Sequence, residues 1–207
     1  MPGVLRRRAA LPLLLSCLAV PRAARTQPAP EGEAPAEATP LDLEALMARM
    51  AAVPERRESF REERRLAALQ FPLVMTGTLR YRRPARLEKL TETPQPESLV
   101  VDGDRVELTP GNEPTQFLDL ARTPELRALV DAIRAPLSGD LAALRRSFAV
   151  RATGTPSAWL LELQPREPRA ARFLHEVRLT GSGTNVRETL LVLANGDVHH
   201  MLSRPLP

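Results

Sequence analysis

The 207-residue chain holds one cysteine, three histidines, and an aromatic complement of five Phe, one Tyr and one Trp. Each scarcity excludes a class of chemistry. The only cysteine, Cys17, lies in an apolar stretch near the N-terminus, so the rest of the chain forms no disulfide and offers no thiol nucleophile. The histidines are His175, His199 and His200. Neighbours in a strand point to opposite faces, so His199 and His200 cannot readily share a metal, and no H-E-x-x-H spacing accompanies them. A G-x-S-x-G elbow is also missing; Gly181-Ser182-Gly183 reads as a turn between strands. Carboxylate pairs such as Glu62-Glu63 and Asp102/Asp104 fit a charged strand face and a turn. No catalytic residue, metal ligand or cofactor is therefore assigned, and the expectation is a protein that is not an enzyme.

A basic excess is present only on paper. The formal net charge is +4 and the sequence pI about 10.4. Four arginines, at 6, 7, 8 and 22, precede position 25, whereas every acidic residue lies after position 24. Removing those arginines leaves basic and acidic residues equal in number, which disfavours a nucleic-acid partner.

Those arginines belong to a targeting pattern. Arg6, Arg7 and Arg8 precede the apolar run Ala9–Val20, and small residues follow at Ala23, Ala24 and Thr26. The run is too short to span a bilayer, so residues 1–26 read as a cleaved secretory signal and the chain as periplasmic. Lipidation at Cys17 is the alternative; the bulky Leu15 and the continuing apolar run favour an incidental cysteine. Residues 27–40 carry four prolines and no large apolar side chain, the composition of a flexible linker. A single domain is expected over 41–207.

Periodicity supplies the architecture. Leu43, Leu46, Met47 and Met50 recur at helical spacing over Leu41–Val53, ahead of Pro54. A charged strand is expected over Ser59–Leu69, then strands over Leu73–Tyr81 and Arg86–Thr93. Asp102-Gly103 joins Ser98–Val101 to Arg105–Thr109 as a hairpin. Thr123-Pro124 opens a helix with Leu126, Leu129, Val130 and Ile133 on one side, and Gly139-Asp140 precedes a shorter helix. Strands resume over Ala158–Gln164, over Ala171–Leu179 with Phe173, His175, Val177 and Leu179 on one face, and on either side of Asn195-Gly196. The order predicts an α+β fold, an antiparallel sheet curled around helices as an incomplete barrel.

Such a sheet has few helical residues with which to fill its concave side. Two readings of its apolar side chains stand: an interdigitated core, or the lining of an apolar cavity that holds a ligand. The candidates for such a lining are Met47, Met50, Leu73, Met75, Leu79, Tyr81, Leu87, Trp159, Leu161 and Phe173. Methionines at 47, 50, 75 and 201 would make it adaptable.

The stretch from Met75 to Leu108 resembles the signature of the periplasmic outer-membrane lipoprotein carriers, the LolA-like family. The resemblance rests on Gly77, Leu79, Tyr81, Arg83-Pro84, Leu87 and Leu99-Val100-Val101-Asp102-Gly103, with Ser59-Phe60 upstream and Trp159–Pro165 and Asn195-Gly196-Asp197 downstream. It runs from about Leu41 to Leu202. The family has an aromatic residue where Leu87 stands, and a cavity richer in aromatics than this chain can supply. The resemblance implies a curved, unclosed barrel whose helices lid an apolar cavity. It further implies a monomeric carrier that takes lipoprotein acyl chains, or a related lipid, from an inner-membrane release complex to an outer-membrane receptor. Arg83 matches the arginine whose hydrogen bonds latch the lid; an exposed turn arginine is the competing reading. Two rival functions use the same fold, a lipid-sensing regulatory domain and, with least support, a lipid-modifying enzyme.

Overall fold

The structure, a computed structural model, describes residues 39–207. The expected signal segment, Cys17 and the linker up to residue 38 lie outside the described residues. Thr39 and Pro40, assigned above to the linker, already lie along an edge strand: Gly154 donates to the Thr39 carbonyl (2.8 Å) and Leu41 to that of Ala152 (3.1 Å).

Helix α1 (Leu43–Ala51) starts where Asp42 accepts from the Ala45 amide (2.9 Å), and buries Leu43, Leu46, Met47 and Met50. Six strands follow: β1 (Glu55–Arg65), β2 (Leu73–Arg82), β3 (Arg86–Thr93), β4 (Glu97–Asp102), β5 (Arg105–Pro110) and β6 (Gln116–Asp119). A 3-10 turn at Leu120–Arg122 leads to α2 (Pro124–Ser138) and α3 (Leu141–Ser147). Then come β7 (Phe148–Thr155), β8 (Ala158–Pro165), the short α4 (Pro168–Ala171), β9 (Leu174–Ser182), β10 (Asn185–Leu193) and β11 (Val198–Pro205).

All eleven strands form one antiparallel sheet in the order β6-β5-β4-β3-β2-β1-β11-β10-β9-β8-β7. Strands β6 and β7, successive in the chain, thus occupy opposite edges, and the segment holding α2 and α3 must travel from one edge to the other. Laid flat, the sheet would be roughly 48 Å wide, several times the width of a helix. Yet Val101 and Val106 near one edge, Phe148 and Trp159 near the other, and Leu46, Ala132 and Leu144 of the helices belong to a single buried cluster. Only a strongly curved sheet wrapped around the helices allows this. Register shifts at Thr76/Gly77, Val186/Glu188 and Val192/Leu193 supply local bends.

The last of these shifts corrects the sequence reading of β9. Proline at 168 starts α4, the chain turns at Arg172 and Phe173, and the strand begins at Leu174. Leu174, Val177 and Leu179 are buried, His175 is exposed, and Phe173 is 40% exposed. Phe173 is therefore not a lining residue. Strand β1 is also displaced from its expected span, and Leu66–Pro72 form a loop instead of strand. Strand β6 and helix α4 were not expected; β6 is exposed along its length and shows no burial alternation to find.

Helices α1 and α2 meet at Gly139, which ends α2 in the left-handed region (φ +68°) and whose Cβ position is occupied by Met47 and Ala51, the Ala51 Cβ at 2.6 Å. Gly139→Val is expected to destabilise the fold by about 2–5 kcal/mol, combining backbone strain and overpacking. Gly103→Ala, at φ +59° but facing open space, should cost only about 1 kcal/mol. Urea denaturation of the two variants checks the contrast; equal losses would refute the close packing at Gly139.

Candidate functional site

Helix α2 lies on the concave face of the sheet. Its buried or half-buried side chains recur almost around the full circumference, because it packs on α1, α3 and α4 as well as on β9. Between α2 and the sheet remains an apolar cleft lined by Ile133 and Leu137 of the helix and by Leu79, Leu179, Val186 and Met201 of the strands. Glu58, Thr189 and Ser203 add polar groups to its wall. The space measures about 20 Å³, room for about one water. A bound small molecule needs roughly 300–1,000 Å³. The hollow that the resemblance implies is therefore not open at this cleft, where side chains of α2 and the sheet meet.

The expected lining residues divide into three groups. Met47, Met50, Tyr81, Leu87, Trp159 and Leu161 are buried together in the main cluster around the helices. Met75 is buried separately with Phe60 and Met201, and Leu73 and Leu79 pack against that second cluster, Leu79 also reaching the cleft. Phe173 stands outside both. Trp159 is seated by glycine: its indole covers Gly181, and its Nε1 donates to the Gly183 carbonyl (3.1 Å), which explains the Gly-Ser-Gly turn.

The helices are held at their ends by arginines. Arg83 donates to the carbonyl of Ala51, the last residue of α1, while its own amide donates to Pro54 (3.0 Å). Arg134 of α2 donates to the Gly103 carbonyl in the β4–β5 turn and pairs with Asp131 at 2.9 Å. Arg127 pairs with Asp104 of the same turn at 3.0 Å. Arg145 of α3 pairs with Glu44 of α1 at 2.6 Å. A guanidinium suits Arg83's position because the C-terminus of α1 leaves carbonyls without intrahelical partners, and at the other positions its several donors serve a turn carbonyl and carboxylates.

Residues 34–204 match the family described as outer membrane lipoprotein carrier protein LolA-like. This chain is a LolA-like protein. No match was found among curated proteins. Solved structures similar to it include a chain of the Pseudomonas aeruginosa MucA/MucB complex, at 16% identity and TM-score 0.42, covering 79% of this chain and 56% of that one. This LolA-like chain thus spans little more than half of that neighbour. A LolA superfamily protein from Nitrosomonas europaea matches at 10% identity and TM-score 0.40, covering 81% of this chain and 96% of that one. A DUF1329 family protein from Desulfovibrio piger matches at 9% identity and TM-score 0.34, covering 79% and 89%.

The concave face of this LolA-like fold is more charged than its sequence pattern suggested. The inward side chains of β1 are Arg56, Glu58, Phe60 and Glu62, all buried. Arg56 sits under α1, donating to the Thr184 carbonyl and to the Met50 sulfur (3.3 Å), while its Nε has no partner. Burial pushes its guanidinium down from the usual range, against the pull of Glu58. Burial likewise pushes the Glu58 carboxyl up, with Arg56 and Ser203 opposing. Further along β1, the Glu62 carboxylate meets Lys89, Arg64 (2.8 Å) and His199 (3.7 Å), and Lys89 lies 4.8 Å from the Phe60 ring centroid. Burial alone would raise Glu62, but Lys89 and Arg64 together outweigh it and hold the carboxyl below the usual range. Sequence reasoning missed Glu58 and Glu62 because acid in a strand is ordinarily turned to solvent; besides Arg56 and Arg64 of β1, the partners that permit burial come from β3 and β11.

Two pH-linked outcomes follow from opposite shifts. Between the ordinary glutamate value and its raised value, Glu58 is protonated in the folded chain and ionised in the unfolded one, so its contribution to stability falls as pH rises through that window. Glu58→Gln should therefore gain melting temperature relative to wild type as pH is raised toward neutral; a difference that does not vary with pH would contradict the assignment. Glu62 contributes in the reverse sense, stabilising above the ordinary glutamate value and losing that effect as pH falls through its lowered value. Glu62→Leu, which strands Lys89 and Arg64, should cost roughly 3–5 kcal/mol at neutral pH, largely recovered by adding Lys89→Leu. A double-mutant cycle with no coupling between the two positions would refute the buried pair.

Proposed function

We propose that this chain is a periplasmic carrier that takes up acyl chains of a lipoprotein or related lipid by displacing α2 from the concave face of the sheet. The observation that carries the reading is the way α2 is held. Its apolar side chains lie on the sheet beside the small cleft, and polar links at its end and flank join it to the rim. It contributes no strand to the sheet, so it can leave without breaking the ladder.

The magnitudes are compatible with exchange. An acyl chain of a dozen methylenes gains roughly 10 kcal/mol on burial. Exposing the apolar side chains of α2, among them Ile133 and Leu137 at the sheet, costs roughly 1.5–3 kcal/mol for each one withdrawn from the core. The two terms are of similar size, so ligand and helix compete for one surface and neither wins irreversibly. The arginine links add to the closed state, since a hydrogen bond from a charged donor contributes about 1.5–3 kcal/mol. Arg83 acts as one latch on this reading, because its guanidinium ties to the β2–β3 turn the end of α1, against which α2 packs at Gly139. Buried Glu58, Thr189 and Ser203 favour a ligand with a polar group near its chain over pure hydrocarbon.

Native mass spectrometry of protein recovered from periplasm tests the reading, with co-purified lipid or lipoprotein as the expected result. Arg83→Leu should raise the rate of uptake of a fluorescent fatty acid about ten-fold, as expected for loss of roughly 1.4 kcal/mol from the closed state. Failure of both wild type and variant to bind any acyl probe would end the carrier reading. A stable protein partner in place of lipid would favour a regulatory role.

A further inference from the structure

The loop joining β1 to β2 carries a feature that acyl binding does not use. From Leu66 to Val74 the chain reads LAALQFPLV, nine residues without a charge. In this loop Phe71 is 80% exposed, more than any other large apolar side chain described, and Leu69 is 52% exposed. They are held out by defined bonds. Leu69 donates to the Leu66 carbonyl (2.9 Å), closing a turn, and the Ala67 amide donates to the Asp197 carboxylate (2.7 Å) at the tip of the β10–β11 hairpin. Asn195 fixes the same carboxylate (2.9 Å), and the Ala67 bond, its strongest influence, keeps Asp197 below the usual range. A loop pinned in this way exposes its apolar side chains by construction.

A second apolar group converges on the same end of the sheet. The Phe173 carbonyl accepts from Ala194 (2.9 Å), next to the turn that anchors the loop, and its ring is also exposed. Residues distant in sequence thus place Leu69, Phe71 and Phe173 around one end of the sheet. The β2–β3 and β4–β5 turns, which carry Arg83 and receive Arg134, lie at the other end. At the base of the loop Arg65 has 74% of its side chain exposed and pairs with Glu63 at 2.9 Å, and Arg61, also exposed, lies four residues further back along β1.

We propose that the Leu66–Pro72 loop, with Phe173 beside it, docks this protein on a lipid bilayer. The occupant follows from shape and charge. Leu69 and Phe71 project from a short loop and so would require a pocket in any protein partner, whereas the headgroup–acyl boundary of a bilayer accepts a convex apolar tip without one. Arginines behind such a tip lie at headgroup depth, where their charge favours anionic lipid. A few inserted side chains give weak, reversible attachment, which permits departure from the surface. The inference stands on the loop and does not require the carrier reading.

The experiment is flotation of the purified protein with vesicles of phosphatidylethanolamine and phosphatidylglycerol at 3:1, with binding of a fluorescent fatty acid measured in parallel. Wild type should float with the vesicles. Leu69→Ser with Phe71→Ser should lower partitioning at least ten-fold, while Leu90→Ser, an exposed apolar residue outside the loop, should leave it unchanged. Phe71→Trp should show emission quenched by brominated acyl chains. Absence of wild-type partitioning at millimolar lipid, or a double variant that partitions as wild type does, overturns the proposal. So does a Phe71→Trp emission indifferent to brominated lipid. Retained fatty-acid binding in a double variant that no longer floats would separate docking from acyl uptake, and loss of fatty-acid binding alone would bear only on the carrier reading.

Discussion

The arrangement depends on one topological constraint: β6 and β7 follow one another in the chain but form opposite edges of the sheet. Whatever joins them must cross between the two edges. Crossing on the concave side lets the connection bury its own apolar face against the sheet's, which is the favourable course for a segment with Leu129, Val130, Ile133 and Leu137 on one side. The sheet can curl only as far as this helical segment allows. The curvature, the filled interior and the helix-end arginines are consequences of the same crossing. Because α2 is inserted between strands and is not a strand itself, its contact with the sheet is made of side chains. Contacts of that kind are the ones an apolar ligand can replace.

Much of this was legible because local signals agreed with one another. Alternation located β2 and β8, the Asp102-Gly103 and Asn195-Gly196 turns located two hairpins, and Thr123-Pro124 with Gly139 bracketed α2. What escaped depended on partners distant in sequence. Phe173 and Leu174 are neighbours, and only the register shift beside them, where Leu174 and Glu176 face Leu193 and Val192 and His175 is the extra residue, decides which is turned inward. The four residues of β6 have no buried face, so alternation had nothing to report. Glu62 is buried because Lys89, Arg64 and His199 surround it, and two of those three lie on other strands. The filling of the cavity was equally illegible, since a helix of this pattern packs on whatever apolar face is nearest. Nothing in its own residues distinguishes a permanent plug from a movable one.

The buried charges divide the concave face into regions of different character. At the helical end Tyr81 pairs with Arg56, and the surrounding side chains are apolar and covered by α1 and α2. Midway, Glu58 opens onto the cleft. Toward the β1–β2 loop, Glu62 pairs with Met75 across the ladder, and a network of four charged or titratable side chains covers Phe60, Met75 and Met201. Replacing such groups by hydrocarbon would often cost nothing or stabilise the fold. Their presence limits how much hydrocarbon this surface can accept, so the proposed ligand would be one chain lying along the α2 side of the face, not several filling it.

The two ends of the sheet therefore do different work for the same physical reason. At the Arg83 end, a carbonyl at the end of α1 and one in the β4–β5 turn need donors, and arginines supply them through contacts that water can replace at modest cost. At the opposite end a carboxylate, Asp197, supplies the acceptor that an exposed loop needs, and the loop turns its apolar side chains outward. The first arrangement suits opening, because each broken contact is quickly resolvated. The second suits holding still, because a tip that relaxed onto the body would hide Phe71 and Leu69 against the nearest apolar surface. The two proposals, an interior that opens and a tip that docks, thus fall on opposite ends of the molecule. Here that separation follows the strands of a single sheet.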